Sequence, residues 1–160
     1  MSGRLIGIAW RSTRLAPMQT VDSVEISLEA GVAGDHKGAK YKRRAVTILA
    51  CEDWEAALVD VGQDEPLDWT ARRANLLVEG LRLPRALGAT LRMGPVLLEV
   101  TYPTTPCARM DEARAGLRKA LHPEWRGGVT CKVLEGGRVE IGDKVTVVQS
   151  PPERQIKLPG

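Results

Sequence analysis

Apolar and polar positions alternate with a period of two along much of this chain, the spacing of strands with one covered face. Val24, Ile26 and Leu28 alternate with Ser23, Glu25 and Ser27, which predicts a strand within residues 21–28, and residues 5–10 form another short β-prone run. Residues 45–50 are a continuous apolar strand and residues 75–78 a short one. Residues 90–93 and 96–102, joined by Gly94-Pro95, predict a hairpin with Val96, Leu98, Val100 and Tyr102 on one face. Residues 129–134, 138–141 and 145–149, separated by glycine turns, predict a closing antiparallel meander.

Two stretches carry the helical period instead. Trp54, Ala57, Leu58 and Val61 stand at i, i+3, i+4 and i+7 behind acidic Glu52 and Asp53, predicting a helix over 52–61. Thr105 suits an N-cap and Pro106 a first helical position, opening a second helix that runs to about Leu121 with Met110, Ala113, Leu117, Ala120 and Leu121 as its apolar stripe. Residues 31–38 hold three glycines and read as a loop. The fold class expected is mainly β: a mostly antiparallel β-barrel carrying two or more short helices.

At 160 residues the chain has room for one domain, taken as residues 1–150, with 151–160 as a flexible C-terminal tail containing three prolines. Sixteen Gly and ten Pro favour short elements over a helical bundle, and the absence of Phe leaves the core to Val, Leu, Ile and Ala. A net charge of +3 is too small for a nucleic-acid field spread over the whole surface, so any anion site is local and no nucleic-acid partner is expected. The apolar run 5–10 is shorter than a signal-peptide core or a membrane span, and three scattered Cys suggest a reducing compartment; the expected location is cytoplasmic, without membrane attachment.

Cys107 is the most informative residue. As the second residue of a helix opened by Pro106 it would sit beside free backbone N–H groups, a setting that favours the thiolate, with Arg109 adding positive charge. The alternative is a small packed residue, the reading that suits Cys51 and Cys131. Lys37, Lys40, Lys42, Arg43 and Arg44 follow the glycine loop directly and Arg72-Arg73 precede Asn75, so exposed N–H groups and cations could together bind a small anion; a solvated basic face is the alternative. His36 reads as a loop histidine, and His122 lies about 22 Å along the predicted helix from Cys107, out of reach.

With these residues in view the chain resembles the MOSC family, the domain found at the C-terminus of molybdenum cofactor sulfurases and as free-standing bacterial proteins. The resemblance runs from about Leu5 to Val148. Its carriers are Gly31, Gly34 and Asp35 in a Gly-x-x-Gly-Asp loop, Arg44, Val46 and Thr47 in an Arg-x-Val-Thr strand, and Asn75, Leu76, Gly80 and Leu81 in an Asn-Leu-x-x-x-Gly-Leu run. Pro103, Pro106 and Cys107 match a Gln-Pro-x-x-Pro-Cys motif in which Tyr102 stands where Gln is frequent.

The resemblance implies a β-barrel and a molybdenum cofactor (molybdopterin) whose metal is ligated by Cys107. It places pterin and phosphate anchoring on Arg44, Arg73 and Asn75, near Gly34 and Asp35; Arg109, two residues past the thiol in the sequence, joins this cofactor-binding set by its position. It implies reduction of an N-hydroxylated small-molecule substrate, with electrons from a partner protein. A second hypothesis makes Cys107 a sulfur carrier charged as a persulfide by a pyridoxal-phosphate-dependent cysteine desulfurase. A third is a non-catalytic module that binds an anion or an acidic partner through residues 37–44.

Overall fold

Seven strands close on themselves. In the computed structural model, which describes residues 2–62 and 65–159, the strands are β1 (Ser2–Trp10), β2 (Gln19–Thr20), β3 (Ser23–Ser27), β4 (Gly31–Val32), β5 (Val46–Ala50), β6 (Leu76–Glu79), β7 (Thr90–Met93), β8 (Val96–Pro103), β9 (Val129–Glu135), β10 (Gly137–Glu140) and β11 (Lys144–Gln149). The ring runs β11-β7-β8-β9-β5-β6-β1 and returns to β11, while β10, β3 and β4 form a separate three-stranded sheet. Among the pairings of the ring only β5–β6 is parallel; the rest are antiparallel. The mainly-β barrel expected from the alternation is therefore present.

The parallel pair explains the continuous apolar run. Ile48, Leu76 and Val78 point into the barrel core, whereas Leu49 and Leu77 point outward under three helices, α1 (Cys51–Val61), α2 (Ala108–Ala113) and α3 (Leu117–Ala120), where they meet Trp54, Ala57, Met110, Leu117 and Leu121. Both faces of β5 are covered, so no polar alternation is needed. Helix α1 supplies the crossover that a parallel pair requires, and it stops at Gly62, whose φ of 76° sets a left-handed cap.

Two expectations change. The last three strands do not form a meander: β9 lies between β8 and β5, β10 leaves to pair with β3, and β11 joins β7 to β1. The turn residues were readable, but the partner of each strand is decided by burial, as when Val139 becomes fully buried by pairing with Val24. The second helix is not continuous either. Arg114 is extended and Gly116 adopts a φ of 88°, so the predicted helix splits into α2 and α3 with the stripe residues Met110, Leu117 and Leu121 still buried.

Met1 and Gly160 lie outside the described residues. Residues 151–159 form neither helix nor strand, yet Glu153 accepts two hydrogen bonds from Arg82, at 2.6 and 2.9 Å, and Ile156 packs against the barrel core. No helix among the described residues is long and apolar enough to cross a membrane.

Candidate functional site

The glycine loop is built around close backbone contacts. A Cβ on Gly38 would stand 1.7 Å from the Ala30 carbonyl oxygen, so only glycine allows the chain to double back beside Gly31. Gly34 has a φ of 83° and faces the Trp10 ring. Asp35 is buried, and its Oδ1 accepts the Arg11 N–H at 3.0 Å while the His36 N–H donates to the Arg11 carbonyl at 2.9 Å. These two bonds fasten the segment after β1 to the loop and bring Arg11 and Arg14 to it.

Lys37 turns the other way. Its Nζ donates to Thr47 Oγ1 at 3.4 Å, and burial pulls its ammonium down to about 8. Thr47 in turn is held by Asn75: the Asn75 Oδ1 accepts from Thr47 N at 3.0 Å and Oγ1 at 3.2 Å, and its Nδ2 donates to the Ala9 carbonyl at 3.2 Å. The Asn75 amide is thus spent within the barrel, linking β1, β5 and β6 beneath the loop.

Above Thr47 opens a cavity of about 300 Å³ lined by Arg11, Arg14, His36, Lys37, Arg44 and Thr104, among others. Arg44 is exposed and lies over the Tyr41 ring, 4.3 Å from its centroid. Burial, then repulsion by Arg73, lowers the pKa of Arg11, with Arg109 and Arg14 acting the same way and Asp35 opposing them. Burial, then Arg11, pushes the His36 pKa below its ordinary value, with Asp35 opposing. Asp35 Oδ2, His36 Nε2 and Arg73 Nε are buried atoms without a partner among the described residues.

Cys107 is an exposed free thiol three residues beyond Thr104, which lines this cavity. It is the N-cap of α2 rather than the second residue of a helix, with an extended φ of −124°, because the chain from Thr104 to Pro106 stays non-helical. Its neighbour in charge is Arg72, a fully enclosed guanidinium that donates from Nε to the Gly127 carbonyl at 3.1 Å and from Nη2 to the Thr104 carbonyl at 3.2 Å. Burial lowers Arg72 to about 10, still protonated at neutral pH, and Cys107 works against that shift. Arg109 is half-buried and faces Arg11 and Arg73. Arg73 sits at a left-handed φ of 65° and donates through Nη2 to the carbonyls of Arg14 and Ala16, so it fastens the Arg11–Arg14 segment.

Of the residues expected at the site, Arg44 alone lines the cavity; Asp35 holds the Arg11 backbone, Arg73 holds the Arg14–Ala16 segment and Arg109 faces both Arg11 and Arg73, while Gly34 lies against Trp10, Cys107 beside Arg72 and Asn75 beneath Thr47. Sequence reasoning passed over Arg11 and Arg14, whose only signal was two arginines in a turn-rich segment after the first strand, and it gave Arg72 no separate role. The other thiols are packed. Cys131 is fully buried and its thiol is raised by burial, while Cys51, half-buried and donating to Glu55 at 3.5 Å, is raised to about 11 by burial and Glu55.

The model of the MOSC domain family matches residues 34–146, from the glycine loop to β11. The chain belongs to the MOSC domain family. The fold is similar to that of the YuaD protein from Bacillus subtilis, with a TM-score of 0.75 and 19% identity over 91% of this chain and 94% of that one. It is also similar to YiiM from Escherichia coli, with a TM-score of 0.69 and 20% identity over 94% of this chain and 72% of that one. A comparison with curated protein sequences finds no match. In this MOSC domain the matched span contains Asp35, Arg44, Arg73, Asn75, Cys107 and Arg109, while the cavity-lining Arg11 and Arg14 precede it.

Proposed function

We propose that this MOSC domain binds the molybdenum cofactor, with the Cys107 thiolate on the metal and the cationic cavity on the cofactor's phosphate. The observation that carries the reading is an exposed free thiol on the segment that borders a cavity lined by Arg11, Arg14, Lys37 and Arg44. The donor set fits the group. Among the described residues no three His, Cys, Asp or Glu side chains come together; in this reading Cys107 is the protein's ligand and the cofactor's own dithiolene would supply the others. A soft thiolate suits molybdenum, and fixed guanidinium groups suit a phosphate dianion. The unpartnered Asp35 Oδ2 supplies an acceptor for pterin N–H groups.

The reaction class is reduction of an N-hydroxylated compound: the N–O bond breaks, two electrons and two protons enter, and an amine and water leave. When bound, the cofactor supplies the two-electron centre, and a partner electron-donor protein supplies the electrons. The chain's own residues bind and orient: Arg44 and Lys37 hold the anion, Asn75 positions Thr47 and through it Lys37, Arg73 holds the Arg11–Arg14 segment, Arg72 places positive charge beside Cys107, and Arg109 adds to the cationic field at Arg11 and Arg73.

The test is metal and pterin content after expression in a host that makes the cofactor. Near-stoichiometric molybdenum, lost in Cys107→Ser and reduced in Arg44→Ala, is expected. Apoprotein from cells that load a co-expressed molybdenum enzyme overturns the reading.

The exposure of Cys107 also favours a second reading, in which a partner reaches the thiol. Thiolate attack on a desulfurase persulfide would move one sulfur to Cys107 and release the desulfurase thiolate. Intact-mass measurement after incubation with a cysteine desulfurase and cysteine would then show one added sulfur, absent from Cys107→Ser.

A further inference from the structure

Both tyrosines of the chain, Tyr41 and Tyr102, are exposed, by 44% and 43%, and both line one hollow of about 660 Å³. The four tryptophans are buried or half-buried and serve packing. The hollow adjoins the cationic cavity, with which it shares Tyr41, Arg44 and Thr130, and Leu87 gives it an apolar wall.

Tyr102 faces outward because of a specific device. Val96, Leu98 and Val100 of β8 point into the core, and strict alternation would send residue 102 the same way. The register of β8 against β9 slips between Val100 and Tyr102, a β-bulge that buries Thr101 and turns Tyr102 to solvent. Thr101 Oγ1 pins the bulge by bonding the carbonyls of Arg43 and Thr130, the latter at 3.1 Å. The same residue therefore ties the strand that presents Tyr102 to the segment that carries Tyr41. Exposing a large aromatic ring forgoes burial; two rings exposed on one hollow, one held under a guanidinium and one re-aimed by a bulge, point to a ligand with a flat face.

We propose that the Tyr41–Tyr102 hollow is a binding compartment for a flat, unsaturated ring compound that is neutral or anionic, and that it excludes flat cations. Ring faces stack on ring faces, and Arg43 and Arg44 on the same walls repel positive charge and attract carbonyl or acidic substituents. As a substrate compartment it rests on the cofactor reading above; as a ring-binding site it does not.

The protein without cofactor is titrated by saturation-transfer NMR and calorimetry with four probes: 2-quinolone, naphthalene-2-sulfonate, N-methylquinolinium and cyclohexanesulfonate. The first two are expected to bind, with affinity falling at least fivefold in Tyr41→Ala and in Tyr102→Ala and kept within twofold in Tyr102→Phe. N-methylquinolinium and cyclohexanesulfonate are expected to bind at least fivefold more weakly than naphthalene-2-sulfonate. Both tyrosines are exposed, and thermal melting confirms that the variants fold. Absence of binding by both flat uncharged or anionic probes, a loss under fivefold in either alanine variant, or equal binding of the flat cation overturns the proposal. Because no probe needs metal, a failed molybdenum assay leaves this result readable on its own.

Discussion

Asn75 and Thr47 bond to each other in both directions: Asn75 Oδ1 accepts from the Thr47 backbone N–H and hydroxyl, while the Asn75 N–H donates to Thr47 Oγ1 at 3.0 Å. Asn75 is 1% exposed, so removing its amide strands buried partners on β5 and on Ala9. Asn75→Ala is expected to cost roughly 2–4 kcal/mol, from about 1–3 kcal/mol per group left unsatisfied, read as a lower urea midpoint. A loss under about 1 kcal/mol would show that the network is dispensable.

Lys37 carries the pH signature of the site. Its ordinary value of 10.5 is pulled to about 8 by burial, with Arg11, Arg72 and Arg44 adding repulsion and Asp35 opposing. Between those values the unfolded chain holds a proton that the folded chain does not, so this contribution to stability grows from pH 8 to 10.5 and is lost as pH falls back to 8. Wild type is expected to gain up to roughly 3 kcal/mol over Lys37→Met across that window, at about 1.4 kcal/mol per pKa unit. Urea unfolding of both proteins at pH 7.5 and 10 measures it, and an unchanged difference would remove Lys37 from its buried position.

The three thiols should separate by reactivity. Cys107 is exposed, Cys51 is half-buried and raised to about 11, and Cys131 is fully buried. Peptide-resolved iodoacetamide labelling at pH 7.5 is expected to modify Cys107 at least tenfold faster than Cys51, with Cys131 unlabelled until denaturation. Labelling of Cys131 at the rate of Cys107 would contradict the placement of β9 in the barrel wall.

Residues 45–50 and 75–78 were legible as strands because their apolar side chains are buried on both sides, a local property of composition. The break between α2 and α3 was not, since Gly116 stands inside an otherwise regular stripe and a glycine there is compatible with either a helix or a corner. The barrel could be inferred from strand count and turn residues, but not which strands meet: β10 finds β3 only once both have an apolar face to bury. Within the site, Cys107 and Arg44 were visible as residue types in telling places. Arg11 reaches the cavity because its backbone N–H donates to the Asp35 carboxylate and its carbonyl accepts from the His36 N–H, 24 and 25 positions away, a pairing that no local pattern encodes.

Two glycines separate steric from conformational cost. Gly38→Ala forces a Cβ onto the Ala30 carbonyl, whereas Gly62→Ala meets nothing within 4 Å and bears only its left-handed φ of 76°. The first is expected to destabilise by about 3 kcal/mol or more, and the second by about 1–2 kcal/mol. Thermal unfolding of the pair checks the order, and equal losses would mean that the glycine loop can open without unfolding the barrel.

The ring is sealed where Ser2, Gly3 and Arg4 pair with Thr146, Val145 and Lys144. This seam joins the first strand to the last, so nearly the whole chain forms the loop that must be closed, and such non-local pairing slows folding. A nascent chain on the ribosome therefore has no closed barrel until β11 has been made. Until then β1 and β7 each present an unpaired edge, and such open edges are the surfaces on which unfinished β-proteins associate.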